Sequence, residues 1–396
     1  MLIAPTRAAA LQRLAEFAPR MGRDYAEGRN ADPGPGLRRD VSMLSPHLRH
    51  RLITESEVVA AALEAHGPVH PEKFVQEVFW RSYWKGFLEL RPDMWTEYRA
   101  RAAQEHARLA TQGGLRAPHE HAVHGTTGIA CFDAWAREIV KTGWLHNHAR
   151  MWFASIWIFT LRLPWVLGAE FFLHNLLDAD AASNTLSWRW VAGIQTPGKN
   201  YLARAENIAR HTQGRFDPRG ELDEDAPPLD EPGPPPPGAL PPADAPPPGR
   251  VALLLHDDDL AFWPEGCEVV AAGGIVCPAE RCIVGAAPLA RSFTETAMAD
   301  ALDRAGRRIG QPPQLLTPEG VADWARAEGV TRIVTPWAPV GWTAGMLGRV
   351  QALCAVEGIT VHRLRRPWDE ACWPLARKGF FQFRVHIPAL TATLTD

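Results

Sequence analysis

Apolar positions recur at helical spacing over the first 190 or so residues, then change character after residue 250. Residues 6–20 place Leu11, Leu14 and Phe17 on one face and predict a short amphipathic helix. A Gly/Pro-rich loop follows, to about Arg39. Val41-Ser42-Met-Leu-Ser45-Pro46 is then a small-hydroxyl turn into a helix, with Ser45 placed to cap it and Pro46 at its first position. Thr54-Glu-Ser-Glu57 is a capping box for a helix ending near Gly67. Further helices are predicted over 70–89, 96–110, 133–141, 144–160, 168–177 and 183–192, with 111–124 a Gly/His loop. After residue 250 short continuous apolar runs alternate with helical stretches. Strands are expected at 251–255, 268–276, 314–316, 331–335 and 359–364, and helices at 293–305, 318–328 and 343–357. Buried runs alternating with helices predict an open parallel sheet. No GxGxxG follows the first run, so a dinucleotide fingerprint is absent.

Composition divides the chain at the same place. Residues 1–220 hold 27 Lys+Arg against 22 Asp+Glu, residues 221–249 hold seven acids and no base, and 250–396 hold 15 bases against 16 acids. The mildly basic first part can host a polyanion, though weakly on charge alone. Residues 226–249 are dense in Pro and Gly and read as an extended spacer that packs no core. The domains expected are therefore 1–220 helical, 221–249 linker and 250–396 α/β. The six Cys contain no CxxC and no cluster with His, so they read as reduced thiols and no metal site is expected. The start, Met1-Leu-Ile-Ala-Pro-Thr-Arg7, lacks the apolar core of a leader. Met151–Val166 is interrupted by Arg162 and Pro164 and is too short to span a bilayer. A soluble cytoplasmic monomer with no membrane partner is the expectation.

Chemistry concentrates in residues 144–190. Asn147 and Met151 share a helical face, Arg150 adjoins them, and Asp178-Ala-Asp180 precedes Asn184, Trp188 and Trp190. Charged residues are rarely buried unless paired or bound to something. A Trp-rich core beside a surface Asp loop would account for the same composition. Glu77, Trp80 and Arg81 lie at i, i+3 and i+4, presenting a carboxylate, an indole and a guanidinium together; a solvated Glu–Arg pair beside a core Trp fits that spacing equally.

A resemblance decides between these readings. Tyr25-Ala-Glu-Gly-Arg29-Asn30, Ser42-Met-Leu44-Ser45-Pro46, Glu77-Val-Phe-Trp80-Arg81 and Gly125-Thr-Thr-Gly128 with Asp133 resemble motifs of the flavin-binding domain of DNA photolyases and cryptochromes. So do Gly143-Trp144-Leu-His-Asn147-His148-Ala-Arg150-Met151, Asp178-Ala-Asp180 and Asn184-Thr-Leu-Ser-Trp188-Arg-Trp190. The similarity covers about residues 6–218. Val251 to Phe383 resembles the family's antenna-type α/β domain, which normally comes first, so the order looks circularly permuted. Pro336-Trp337-Ala338-Pro339 departs from the family's N-R-D-Y-x-P, and a light-harvesting second chromophore is not carried over.

The resemblance implies FAD held by Tyr25, Ser42, Leu44, Ser45, Arg81, Trp144, Asn147, Arg150, Asp178, Asp180 and Asn184. Asn184 would face flavin N5, the photolyase-like choice. It further implies light-driven repair of cyclobutane pyrimidine dimers in single- or double-stranded DNA. Glu77, Trp80, His148, Met151 and Trp190 would meet the dimer. Met151 stands where the (6-4) branch usually has a catalytic His. Trp188 and Trp165 would be the flavin-proximal and middle members of an electron-transfer chain, with Trp157 or Trp135 to finish it. The alternative is a blue-light-sensing flavoprotein without repair activity.

Overall fold

The computed structural model describes residues 3–392 and Leu394; Met1 and Leu2, part of the stretch read for a leader, lie outside the described residues. The first half is helical: α1 (Arg7–Phe17), α2 (Arg23–Gly28), α3 (Ser45–Arg49), α4 (Glu55–His66), α5 (Glu72–Glu89), α6 (Asp93–Thr111), α7 (Gly113–His124), α8 (Ala130–Thr142), α9 (Asn147–Ser155), α10 (Trp165–Asn175), α11 (Ala181–Val191) and α12 (Ala205–His211). The capping box forms as expected: Thr54 Oγ1 accepts from Glu57 N, and the Glu57 carboxylate accepts from Thr54 N. Two local readings are corrected. Residues 113–124 are helical despite Pro118, because Leu115, Ala122 and Val123 reach the core, and that packing outweighs one lost backbone bond. Ser45 is the first residue of α3 rather than its cap; Leu44 occupies the cap position, and Ser42 Oγ accepts from Leu44 N.

The second half is a five-stranded parallel sheet. β1 (Arg250–His256), β2 (Glu268–Ile275), β3 (Gln314–Leu316), β4 (Arg332–Pro336) and β5 (Thr360–Leu364) lie in the order β3-β2-β1-β4-β5. α13 (Pro288–Ile309), α14 (Val321–Ala327) and α15 (Trp342–Val356) cover it, and the short helices α16 (Pro367–Cys372), α17 (Phe380–Phe383) and α18 (Ile387–Ala392) follow. Val251 to Leu255 are all buried, which is why β1 is uniformly apolar rather than alternating. The fold class expected from the sequence is therefore the one observed. No helix among the described residues is long and apolar enough to cross a membrane.

The two halves share one continuous core, and α5 is the main contact. Phe79 stacks on Trp368 with centroids 4.8 Å apart, Trp368 Nε1 donates to Ser82 Oγ at 2.8 Å, and Tyr83 OH donates to Lys378 O at 2.9 Å. Gly86 is required there, since a Cβ would sit 2.7 Å from the Trp373 Cα. The Pro-rich segment is not a free spacer. Leu229 N donates to Ala192 O, Gly238 N to Leu90 O and Asp244 N to Arg363 O, while Leu222, Leu229 and Leu240 pack on the core. Proline carbonyls keep their acceptor capacity, and Arg91, Arg189 and Arg365 use it at Pro235, Pro232 and Pro241. The segment is a strap laid across both halves.

Candidate flavin site

The floor of the site is α5. Glu77, Arg81 and Lys85 recur every fourth residue and so share one face. Glu77 is paired with Arg29 from α2's end, not with Arg81. Arg81 Nη1 is buried without a hydrogen-bond partner. Lys85 is fully buried, with Nζ 3.6 Å from Asp180 Oδ2, too long for a hydrogen bond. Trp80 is half-buried and has one ring face covered by Phe380, at 3.7 Å and an interplanar angle of 12°.

The opposite wall comes from α9, the turn after α10, and α11. Arg150 Nη2 donates to Asp178 Oδ2 at 2.8 Å and Nε to Leu145 O, leaving Asp178 Oδ1 buried with no partner. Asp180 caps α11 by accepting from Ser183 N at 2.8 Å. Burial opposes ionisation of Asp180, but Lys85 and then Arg81 outweigh it and hold the carboxyl at about 2. Asp178 is likewise held below its ordinary value, with burial overcome by Arg150. Both are carboxylates at neutral pH. Trp144 Nε1 donates to Ser45 Oγ at 3.2 Å, which brings the serine turn to this wall. Asn184 Nδ2 donates to Ala169 O at 3.0 Å. Asn147 is exposed at the head of α9, with Met151 half-buried one turn on. Tyr25 is buried edge-on against Phe17 and Phe74. Leu44 is fully buried, so its side chain belongs to the core.

These positions form one connected polar set: Ser45, Trp144, Arg150, Asp178, Arg81, Asp180 and Lys85. Three of its buried polar atoms, the donors Arg81 Nη1 and Lys85 Nζ and the acceptor Asp178 Oδ1, have no hydrogen-bond partner among the described residues. Each costs roughly 1–3 kcal/mol if nothing meets it. Donors and an acceptor left open in one place suit a ligand with both carbonyl or phosphate oxygens and a ring N–H. The residues therefore fit FAD. Sequence reasoning missed Lys85, although its place four residues after Arg81 was the available signal.

The tryptophans are arranged differently from the expectation. Trp188 is buried with its rings 6.2 Å from Trp157 and 5.1 Å from Phe172. Gly168 permits this approach: a Cβ there would sit 2.3 Å from the Trp188 ring and 3.0 Å from Trp157. Trp157 lies in a π-turn over Ile156–Thr160, a wide turn common at functional sites. Trp165 instead packs 5.9 Å from Tyr98, and its Nε1 donates to Glu231 of the strap. Among the described residues no ring contact joins Trp165 to Trp188, so the tryptophan in ring contact with Trp188 is Trp157. Trp135 stacks on Trp152 of α9, 5.5 Å away.

An open cleft of about 510 Å³ is lined by His148 of α9 with Asn200, Tyr201, Leu202, Arg204 and Asn207. Trp190 stacks on Tyr201 at 5.5 Å, and His148 on His211 at 5.5 Å. Burial, and then His211, lower His148 to about 4, so it is neutral at pH 7.

Residues 74–223 match the family model described as the FAD binding domain of DNA photolyase. This helical stretch is similar to the flavin-binding domain of the photolyase/cryptochrome family. A deoxyribodipyrimidine photo-lyase of Streptomyces griseus is 37% identical over 201 residues, covering 50% of this chain and 40% of that protein. Cryptochrome-1 of Arabidopsis thaliana is 38% identical over 97 residues, 24% of this chain and 14% of that one. The solved class III photolyase of Agrobacterium tumefaciens aligns with a TM-score of 0.44 and 26% identity, covering 52% of this chain and 43% of it. The chain thus spans less than half the length of these relatives. The matched domain is an FAD-binding one, and Arg81, Lys85, Trp144, Arg150, Asp178 and Asp180 of the polar set fall within the matched residues.

Proposed function

We propose that the protein is a light-driven DNA repair lyase acting on cyclobutane pyrimidine dimers. The observation that carries this reading is the buried, partly unpaired polar set around Asp178 and Asp180 within an FAD-binding domain. When bound, FAD supplies light-driven one-electron chemistry. Arg150 and Asp178 would hold the ring edge as an ion pair, Asp180 and Lys85 would meet hydroxyl and carbonyl groups, and Ser42 and Ser45 would donate to phosphate oxygens. Asn184 would face the ring as an amide. The dimer would enter from the cleft lined by His148, Asn200 and Tyr201, and Met151 would offer it no proton as a His would. Trp80 and Trp190 would pack it, since an extruded base is gripped by aromatic faces. Glu77, held by Arg29, would hydrogen-bond base edges. In this reading residues 1–220, the strap 221–249 and residues 250–396 are a flavin domain, a linker and an antenna-type domain in permuted order, and DNA containing pyrimidine dimers is the partner.

The test is loss of a thymine dimer from an oligonucleotide under blue light with reduced protein. Dimer loss that needs both light and flavin is expected; none with FAD fully bound and reduced would overturn the reading. The covered face of Trp80 favours a second reading, blue-light sensing without repair. Photoreduction through Trp188 without dimer loss would support it.

A further inference from the structure

One buried guanidinium that the flavin reading does not use touches both halves of the chain. Arg49, the last residue of α3, is 1% exposed. Its Nε donates to Ala179 O at 2.9 Å, the carbonyl between the two flavin-side carboxylates. Its other nitrogens reach the end of β1: Nη2 lies 3.2 Å from Asp257 Oδ2 and Nη1 3.0 Å from Asp258 Oδ1, and Nη1 also donates to Asp257 O. Its Cζ lies 5.1 Å from the centroid of the Trp342 ring.

Asp257 follows β1 and Trp342 follows β4. In the order β3-β2-β1-β4-β5 these strands flank the point where the winding reverses. Open α/β sheets bind ligands in the crevice at that point, beyond the strand ends. Here the crevice holds Arg49. The void that remains, between Asp180, Ala181, Asp258 and Pro339–Trp342, is about 10 Å³, room for about one water. Gly341 comes so close to α11 that a Cβ would lie 3.0 Å from the Ala181 Cβ. Neighbouring contacts fix the same stretch of chain: Ile283 N donates to Glu170 Oε2 at 2.7 Å, Ala287 N to His174 O at 2.8 Å, and Arg281 Nη2 to Leu176 O.

We infer that Arg49 is a positioning residue for Asp178 and Asp180, and that the switch-point crevice of the α/β half is its socket rather than a ligand site. A planar guanidinium satisfies acceptors on two elements at fixed angles, which an ammonium cannot. The α/β half therefore acts as a buttress that sets where the two carboxylates point. The inference rests on the flavin reading of those carboxylates.

Its test compares amide exchange in the wild-type protein with and without FAD. Coupling between sites is reciprocal, so FAD should slow exchange at least fivefold in residues 253–260 as well as in 176–186. Protection confined to 176–186 would overturn the inference, and this comparison needs no variant to fold. Arg49→Lys and Asp257→Asn should each weaken FAD tenfold or more, with the double variant no worse than the weaker-binding single. Folded single variants that bind FAD within twofold of wild type would also overturn it. A wild-type protein that takes up no FAD at all would instead sink the flavin reading itself.

Discussion

The turn after α10 and the turn after β1 each place a pair of aspartates beside guanidinium groups, half-buried in the first case and buried in the second. Asp178 and Asp180 lie near Arg150 and Arg81; Asp257 and Asp258 lie on Arg49. The first set leaves Asp178 Oδ1, Arg81 Nη1 and Lys85 Nζ without partners, whereas Arg49, Asp257 and Asp258 leave no buried side-chain atom unpaired among the described residues, the open atoms there being the flanking His50 Nε2 and Arg281 Nε, beside a void of about 10 Å³. Both arise at the ends of elements, where side chains and free backbone groups converge. What separates them is satisfaction. A buried polar group left unpaired is costly, so an arrangement that keeps several of them in one place is built for something that completes it. An arrangement that completes itself is built to hold the fold.

The largest effect should follow from emptying one side of the flavin-side ion pair. Asp178→Ala leaves Arg150 without its acidic partner, and Arg150→Ala leaves a carboxylate buried without its cation. Each break costs roughly 3–5 kcal/mol and should reduce FAD binding at least a hundredfold by fluorescence titration. Binding retained in both variants would remove the distinction between the two clefts.

Next in size is the loss of electron supply. Trp188→Phe and Trp157→Phe should each suppress light-driven reduction of oxidised flavin tenfold or more, while Trp165→Phe should change it less than threefold. Absorbance under blue light reads all three, and a reversed ranking would restore the Trp165 route. Trp80→Ala should weaken binding of dimer-containing DNA by about 1–3 kcal/mol, the worth of one stacked base, and leave undamaged DNA unaffected. Equal loss for both DNAs would place Trp80 in the core alone.

The smallest effect concerns the seam. Glu89, at the end of α5, accepts from Val340 N, and burial pushes its carboxyl up to about 7 against that bond. A raised carboxyl contributes stability that is full below the unfolded value near 4.5 and is lost as pH rises through about 7. Relative to Glu89→Gln, the wild type should therefore lose roughly 1–3 kcal/mol between pH 5 and 8, the buried histidines contributing equally to both proteins. Thermal melts across this range that show no difference between the two proteins would contradict it.

Much of this was legible in the residues. The helical pattern, the capping box at Thr54 and the five apolar runs after residue 250 report local preferences that packing then obeyed. Arg150 and Asp178 were found as a pair because the motifs that carry them are specific. Other features depend on distances that spacing does not encode. Glu77 pairs with Arg29 from 48 residues away rather than with Arg81 one turn along. Trp157 meets Trp188 because Gly168 lets the helices close, and a single glycine in an apolar run gives no such signal. Arg49 sits in a helix start read only for its serines, and its partners lie 130 and 208 residues on. The Pro-rich strap misled because composition describes its own core-forming capacity, not the arginines waiting for its carbonyls.

The contrast between the two clefts is tested most directly by the stoichiometry of FAD. Equilibrium titration of the wild-type protein, followed by flavin fluorescence, should give one site per chain, and Asp178→Ala should abolish it while leaving the secondary structure unchanged by circular dichroism. Two flavins per chain, or one that survives Asp178→Ala, would mean that the crevice at β1 and β4 is a ligand site after all and would contradict the account.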